Sequence, residues 1–376
     1  MDIYYLGDLI MSFIKELDKY EGFDYESFFI GIKNKQIEKI LKKQTISTMD
    51  YLALLSPIAQ EYLEEMAVKA SSITRKFFGR TILLYTPMYL SNYCTNQCAY
   101  CSFHKDNTIS RRKLTTEEIE KESINIKELG FKHILLLTGD DRLNSGIDYL
   151  EKSIKIIKRY FPSVSLEVYS LSQEEYNKMA EIGVDGLTVY QETYNRNIYS
   201  QVHPKGPKSN YEYRLDAPER ACMAGIRTVN IGALLGLDDW RKEAFYTGIH
   251  ASYLQNKYLD TEISISFPRL RPYSGSFQPN SIVEDKDLVQ MILAARIYLN
   301  RAGITISTRE SEYLRNNLIN LGVTKMSAGS MTSVGGHLDN ENKEAQFEIS
   351  DTRCVEDFYK AIKKSGFQPI FKDWYA

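Results

Sequence analysis

The spacing of apolar positions changes near residue 80. Before it, the pattern is helical: after Ser56 and Pro57, an N-cap and first-turn pair, Tyr62, Leu63, Met66, Ala67 and Ala70 recur three and four apart. Residues 1–78 are therefore expected to form an N-terminal helical extension. From Arg80 onward, short apolar runs alternate with amphipathic stretches. The runs 81–90, 132–138, 164–170, 185–191, 228–235, 261–267, 304–308 and 323–328 predict strands. The stretches 115–129, 146–160, 172–183, 214–225, 239–257, 283–301, 310–321 and 354–365 predict helices. Eight strand–helix units predict an α/β fold, a parallel (β/α)8 TIM-type barrel over residues 79–376 with a C-terminal helical segment. Periodicity alone does not separate a closed barrel from an open doubly wound sheet; the number of units favours the barrel. No repeat or linker breaks the series, so one catalytic unit is expected.

A barrel carries its active-site groups at the C-terminal ends of its strands. Polar and glycine-containing segments fall there: Thr138-Gly139-Asp140-Asp141, Gln191-Glu192-Thr193-Tyr194, Pro268-Arg269-Leu270-Arg271-Pro272 and Met326-Ser327-Ala328-Gly329-Ser330. Each alone is compatible with an ordinary turn. Their shared placement at one rim suggests a site.

Composition narrows the function classes. With 43% hydrophobic and 26% charged residues, the 376-residue chain has the balance of a globular protein. A formal net charge of −2 gives no global field for nucleic acid or an anionic membrane. The run Ile32 to Lys43 carries five lysines interleaved with Ile37, Ile40 and Leu41, the pattern of a solvated helix face. No apolar run approaches a membrane span. The first twenty residues lack the basic start and apolar core of a signal peptide. Five cysteines make no disulfide framework, so a reducing, cytoplasmic location is expected.

Three of those cysteines, Cys94, Cys98 and Cys101, lie directly after the first predicted strand as C-x3-C-x2-C. Thiolates are soft ligands suited to zinc or iron–sulfur clusters. Three so close together can hold three corners of a [4Fe–4S] cube and leave the fourth iron open. One alternative is a stripe of buried cysteines on a helix face, although Thr95, Asn96 and Gln97 interleave with it. The other is structural zinc with His104 as fourth ligand, although such sites usually pair C-x2-C with a second, distant pair.

The spacing, with Tyr100 before the third cysteine, resembles the radical S-adenosylmethionine (SAM) enzymes. In them, SAM chelates the open iron and is cleaved by one electron to methionine and a 5′-deoxyadenosyl radical. Thr138-Gly139-Asp140 stands where those enzymes carry a Gly-Gly-Glu-like motif for the SAM ammonium. Three longer stretches, Val189 to Leu237, Ser266 to Pro272 and Met326 to Ser330, resemble the radical SAM tyrosine lyases of thiamine (thiazole) biosynthesis. These are carbon–carbon lyases that cleave the Cα–Cβ bond of L-tyrosine to 2-iminoacetate (dehydroglycine) and p-cresol.

The resemblance implies roles for particular residues. Cys94, Cys98 and Cys101 would hold the cluster; Tyr100, Gly139, Asp140, Glu192 and Arg214 would bind SAM. Arg269 and Arg271 would offer guanidinium forks to the tyrosine carboxylate, with Ser327 and Ser330 nearby. A rim salt bridge is the competing reading for either arginine. It implies thiazole synthase as a partner and reduced flavodoxin or ferredoxin as electron donor. Ser102 stands where relatives carry glycine, and His203 lies in a family-like loop. Cys222 reads as a core residue and His337 as a turn residue. The maturase of [FeFe]-hydrogenase, a tryptophan lyase of the same branch and a zinc-stabilised binding protein remain alternatives.

Overall fold

The computed structural model describes residues 12–338 and 344–371; the start of the expected extension, 1–11, lies outside the described residues. Among those described, the extension is five α-helices, Phe13–Asp18, Tyr25–Gly31, Asn34–Lys42, Thr48–Leu54 and Leu63–Phe78. In the lysine-rich helix Asn34–Lys42, Ile37 and Ile40 are buried and the lysines are exposed or half-buried. The Ser56–Pro57 pair opens a 3-10 turn, Pro57–Tyr62, not the α-helix itself. Its hydroxyl turns back to Ala53 O at 2.6 Å instead of capping forward. The extension packs on the barrel's outer helices and shares one hydrophobic core with them. Tyr51 stacks on Tyr298 with centroids 4.6 Å apart and donates to Ala244 O at 2.7 Å. Gly248 leaves room for that ring, since a Cβ there would sit 2.3 Å from it.

Eight strands close the expected barrel: β1 (Thr81–Ser91), β2 (His133–Thr138), β3 (Ser163–Glu167), β4 (Gly186–Glu192), β5 (Thr228–Ala233), β6 (Glu262–Ser266), β7 (Gly303–Ile306) and β8 (Lys325–Ser327). Each pairs in parallel with the next, and β1 pairs with both β2 and β8. A ninth strand, β9 (Gln368–Ile370), adds in parallel to the start of β1. Sequence periodicity does not predict it: it is three residues long and contains Pro369, which only an edge position tolerates.

Helices join the strands on the outside. Thr115 and Ser172 form capping boxes with Glu118 and Glu175, which fixes two of the helix starts. The helix expected over 214–225 is two, Tyr211–Leu215 and Ala217–Met223, with Pro218 in the first turn of the second. A further helix, Arg196–Val202, precedes them. Longer helices Trp240–Lys257 and Asp285–Tyr298 follow β5 and β6. No helix among the described residues is long and apolar enough to cross a membrane.

Along β3, β5, β6 and β7 apolar residues alternate with polar or small ones. Ile134, Leu136, Val164, Leu166, Leu187, Val189, Ile263 and Ile265 are buried among apolar neighbours. The residues between them meet across the barrel as polar groups: Asn230 bonds Ser264 and Ser266, and His133 bonds Ser163. The interior is thus polar and hydrogen-bonded, and the aliphatic layer lies between sheet and helices.

Candidate active site

β1 delivers the chain into the cysteine loop at the C-terminal end of the barrel. The loop has no regular structure, so its amides must be satisfied elsewhere. Ala99 N–H donates to Val202 O at 2.9 Å and Gln97 N–H to Lys205 O at 3.0 Å. Arg111 staples it from beneath, donating to Asn92 O (2.8 Å), Phe103 O (2.9 Å) and His104 O (2.6 Å). Ser102 Oγ accepts Ser274 N–H at 2.9 Å, a tie that glycine at this position could not make. Gln346 joins the loop to the barrel interior: it accepts from Tyr89 Oη at 2.7 Å and points Nε2 at Cys101 Sγ, 3.8 Å away.

Cys98 is buried, and Cys94 and Cys101 are half-buried. Burial pushes all three thiols up, Cys98 to about 12, while Lys208 opposes the shift. Thiolates this enclosed need a cation to replace their protons, which iron supplies. Among the described residues, no three His, Cys, Asp or Glu side chains gather around one ion position. His104 Nδ1 is used by Asp106 N–H at 3.0 Å, within a turn. The donor set therefore suits three corners of a cube better than tetrahedral zinc.

Beside the loop, the ends of β2 and β4 and the segment after β3 carry buried polar atoms without partners among the described residues: Thr138 Oγ1, Asp140 Oδ1, Ser170 Oγ and both amide atoms of Gln191. Each unmade hydrogen bond costs roughly 1–3 kcal/mol, so a polar ligand fits here. Gly139 lies so close to the cysteine loop that a Cβ would stand 2.2 Å from Tyr93 O. Asp140 is half-engaged: Oδ2 accepts from Asn96 Nδ2 at 2.8 Å, and its carbonyl is taken by Thr95. Burial holds its carboxyl above the usual range. Glu192 has φ 74°, the left-handed region a glutamate adopts only when held there. Lys208 donates to its carboxylate at 2.5 Å, and Arg214 lies 3.6 Å away while donating to Tyr190 O. Asp140, Arg142, Tyr169, Lys208 and Arg214 line a cleft of about 160 Å³.

Tyr100 donates to His203 Nε2 at 2.6 Å, and His203 Nδ1 meets Tyr199 O at 3.0 Å. Burial pushes His203 down to about 2, so it is neutral and accepts. The histidine thereby fixes the orientation of the tyrosine ring, a link no spacing in the sequence reveals.

A second, smaller chamber of about 20 Å³ is walled by Tyr85, Tyr190, Ser266, Phe267, Thr305 and Glu310. Arg269 makes the rim salt bridge that is its competing reading. Its guanidinium is bound to buried Glu310 and lies 2.8 Å from Asp285, so its fork is not free for a ligand carboxylate. Arg271 bonds Ser350 Oγ through Nη2, and its buried Nε has no partner among the described residues. Ser327 Oγ accepts Thr308 N–H at 3.0 Å and faces inward near Tyr85. Ser330 Oγ is buried and unpartnered among the described residues. The arginine that sequence reasoning missed is Arg309. It stacks 3.4 Å over Phe347, donates to Arg269 O at 3.3 Å, and has no carboxylate partner among the described residues. Its charge acts on Tyr85, Tyr89 and Tyr190 in the chamber wall. It stands in the turn after β7, which ends at Ile306, so no strand alternation points to it.

Away from the rim, Cys222 is buried in helix Ala217–Met223, and Cys354 caps helix Val355–Lys364 with Sγ 3.5 Å from Asp357 N. His337 lies in a turn and donates its N–H to Glu122 at 3.2 Å.

A profile of the radical SAM superfamily matches residues 88–247, and one of the biotin and thiamin synthesis associated domain matches 266–368. The 2-iminoacetate synthases of Salmonella typhimurium and Escherichia coli are 40% and 39% identical over 361 residues, 95% of this chain and 96% of each of theirs. Among solved structures, the [FeFe]-hydrogenase maturase HydG from Carboxydothermus hydrogenoformans superimposes with a TM-score of 0.85 at 31% identity. The match covers 96% of this chain and 83% of that one. Similarity this high over nearly the whole length, on a barrel whose rim bears the three-cysteine loop, shows that the chain belongs to the 2-iminoacetate synthase family of radical SAM enzymes.

Proposed function

We infer that this protein is a radical SAM lyase that cleaves the Cα–Cβ bond of L-tyrosine to 2-iminoacetate and p-cresol for assembly of the thiamine thiazole. The observation that carries the reading is the end-to-end similarity to 2-iminoacetate synthases, joined to a rim with a three-cysteine loop and unpartnered polar atoms. When bound, the [4Fe–4S] cluster and SAM supply a 5′-deoxyadenosyl radical, a hydrogen-atom acceptor. Cys94, Cys98 and Cys101 would hold the cluster. Thr138, Gly139 and the free oxygen of Asp140 would receive the SAM ammonium, with Tyr100, Glu192 and Arg214 around the rest of the molecule.

For the substrate carboxylate we propose Arg309 in place of Arg269, since its guanidinium has no carboxylate partner among the described residues and its charge acts on Tyr85 and Tyr190 of the chamber wall. Ser327 and Ser330 would stand beside it, and Arg271 at the chamber mouth. Tyr85 and Tyr190 would hold the phenol ring and keep water out. We further propose reduced flavodoxin or ferredoxin as electron donor, a cytoplasmic location, and direct transfer of the product to thiazole synthase, because an imine hydrolyses in water.

The test is an anaerobic assay with carbon-labelled tyrosine. The expected products are p-cresol, 5′-deoxyadenosine, methionine, and glyoxylate from hydrolysed imine. Catalytic release of labelled carbon monoxide and cyanide would overturn the assignment in favour of maturase chemistry.

A further inference from the structure

β3 ends on Glu167, registered beside Leu137 of β2. Val164 and Leu166 face the aliphatic layer, so alternation turns Glu167 inward with Ser163 and Ser165. It is half-buried, at the end of the strand where the barrel opens to the rim. Among the described residues nothing hydrogen-bonds or ion-pairs with it. Its charge acts on Tyr85, Tyr89 and Tyr190, the same three rings that Arg309 acts on. Of the cations that face it, Arg309 acts most strongly, ahead of Arg214 and Lys208; Glu192 is the nearby anion.

A carboxylate and a guanidinium thus act on the same rings, of which Tyr85 and Tyr190 line the chamber, without pairing to each other. Leaving two such groups unpaired inside a protein is costly unless a ligand joins both. An α-amino acid does so, because it carries a cation and an anion on neighbouring atoms.

We propose that Glu167 receives the α-amino group of the amino-acid substrate and takes one proton from it. The N–H electron pair stays on nitrogen, the proton passes to a Glu167 oxygen, and nothing is oxidised or reduced. The product of the step is the neutral amine, whose remaining N–H bonds are flanked by a lone pair and are easier to break homolytically than those of an ammonium. Burial pushes the Glu167 carboxyl up to about 7, so it can hold that proton near neutral pH. The proposal rests on the tyrosine reading above.

The experiment is anaerobic calorimetric binding to the cluster- and SAM-loaded enzyme. The ligands are tyrosine, 3-(4-hydroxyphenyl)propanoate, which lacks the amine, and tyramine, which lacks the carboxylate. Wild type should prefer tyrosine over the desamino acid by about tenfold or more, the ratio that one charge-assisted hydrogen bond supplies. Glu167→Gln should erase most of that preference while the preference over tyramine stays. Glu167→Asp keeps the charge and should fall between the two. Equal binding of tyrosine and the desamino acid by wild type overturns the proposal whether or not the variants fold. So does an unchanged ratio in both variants. Formation of p-cresol separates the two readings: if wild type makes none from tyrosine, the substrate assignment fails. If it makes p-cresol and the ratios do not move, only the role of Glu167 fails.

Discussion

The two ends of the barrel interior are built from the same kinds of residue and do different things. At the end where the strands begin, Lys325 donates to His133 Nε2 at 3.0 Å, His133 meets Ser163 at 2.8 Å, and Ser163 donates to Asp185 at 3.1 Å. Every donor in that chain finds an acceptor, and Lys325 also lies 4.9 Å over the Tyr85 ring. At the end where the strands finish, Thr138, Asp140, Ser170, Gln191 and Ser330 leave buried polar atoms with no partner among the described residues. A closed polar network specifies a structure, whereas an open one costs stability until something else completes it. The contrast separates scaffold from site by hydrogen-bond bookkeeping alone.

The sharpest way to break the comparison is at the cysteines. Replacing any one of Cys94, Cys98 or Cys101 by Ala is expected to remove the cluster and bring tyrosine cleavage below detection. The strand-start network should be untouched. Anaerobic iron and sulfide analysis with visible absorption checks the first part, and the thermal midpoint of the unloaded proteins checks the second. Stoichiometric zinc in wild type, without visible charge-transfer bands, would count against the cluster.

The next largest effect divides two arginines that stand together at the site. Arg309→Gln removes a charge with no partner among the described residues, so its cost should appear in substrate use. A loss of about 3 kcal/mol corresponds to roughly 100-fold in kcat/KM for tyrosine, with SAM cleavage less affected. Arg269→Gln instead leaves buried Glu310 without its guanidinium, and the expected cost is about 3–5 kcal/mol of stability. Tyrosine kinetics of the folded Arg269 variant should stay close to wild type. Denaturant melts and steady-state kinetics on both proteins read the split, and the reverse pattern would return Arg269 to the substrate.

That pair also marks how far the sequence could be read. The cysteine loop was legible because its information is local: three ligands in eight residues after one strand. The barrel was legible because eight apolar runs and their helices repeat in order. Which reading of Arg269 its contacts favour was not legible, because the residue that engages it, Glu310, comes forty-one positions later on the next strand's loop. Arg309 and Glu310 are neighbours in the turn after β7: Glu310 lines the chamber and binds Arg269, and Arg309 stacks on Phe347. Glu167 was overlooked although Ser163, Ser165 and Glu167 form the inward face of β3. For Glu167 the period-two pattern of β3 carries the signal, whereas Arg309 lies in a turn where alternation has ended. The backward turn of the Ser56 hydroxyl and the edge strand β9 depend on tertiary packing that no local pattern encodes.

The smallest expected effect probes the closed end. His133 is buried, and desolvation, helped by Lys325 and Arg227, holds its pKa well below 6.5. The folded protein therefore keeps it neutral, whereas the unfolded chain protonates it as pH falls through about 6.5. Below that value the unfolded state binds the extra proton, so this histidine lowers stability as pH falls and has no pH effect above it. The slope is at most about 1.4 kcal/mol per pH unit. His133→Gln can accept from Lys325 and donate to Ser163 without titrating. Its stability relative to wild type should be constant from pH 8 to about 6.5 and then improve by up to that slope as pH falls. Glu122 and Glu243, pushed up to about 7 and about 8, act with the opposite sign. They act equally on both proteins and cancel in the difference. Urea midpoints at half-unit pH steps read the effect. A difference flat down to pH 5 would mean that His133 is protonated in the fold, and that the chain from Lys325 to Asp185 is not closed in the direction given above.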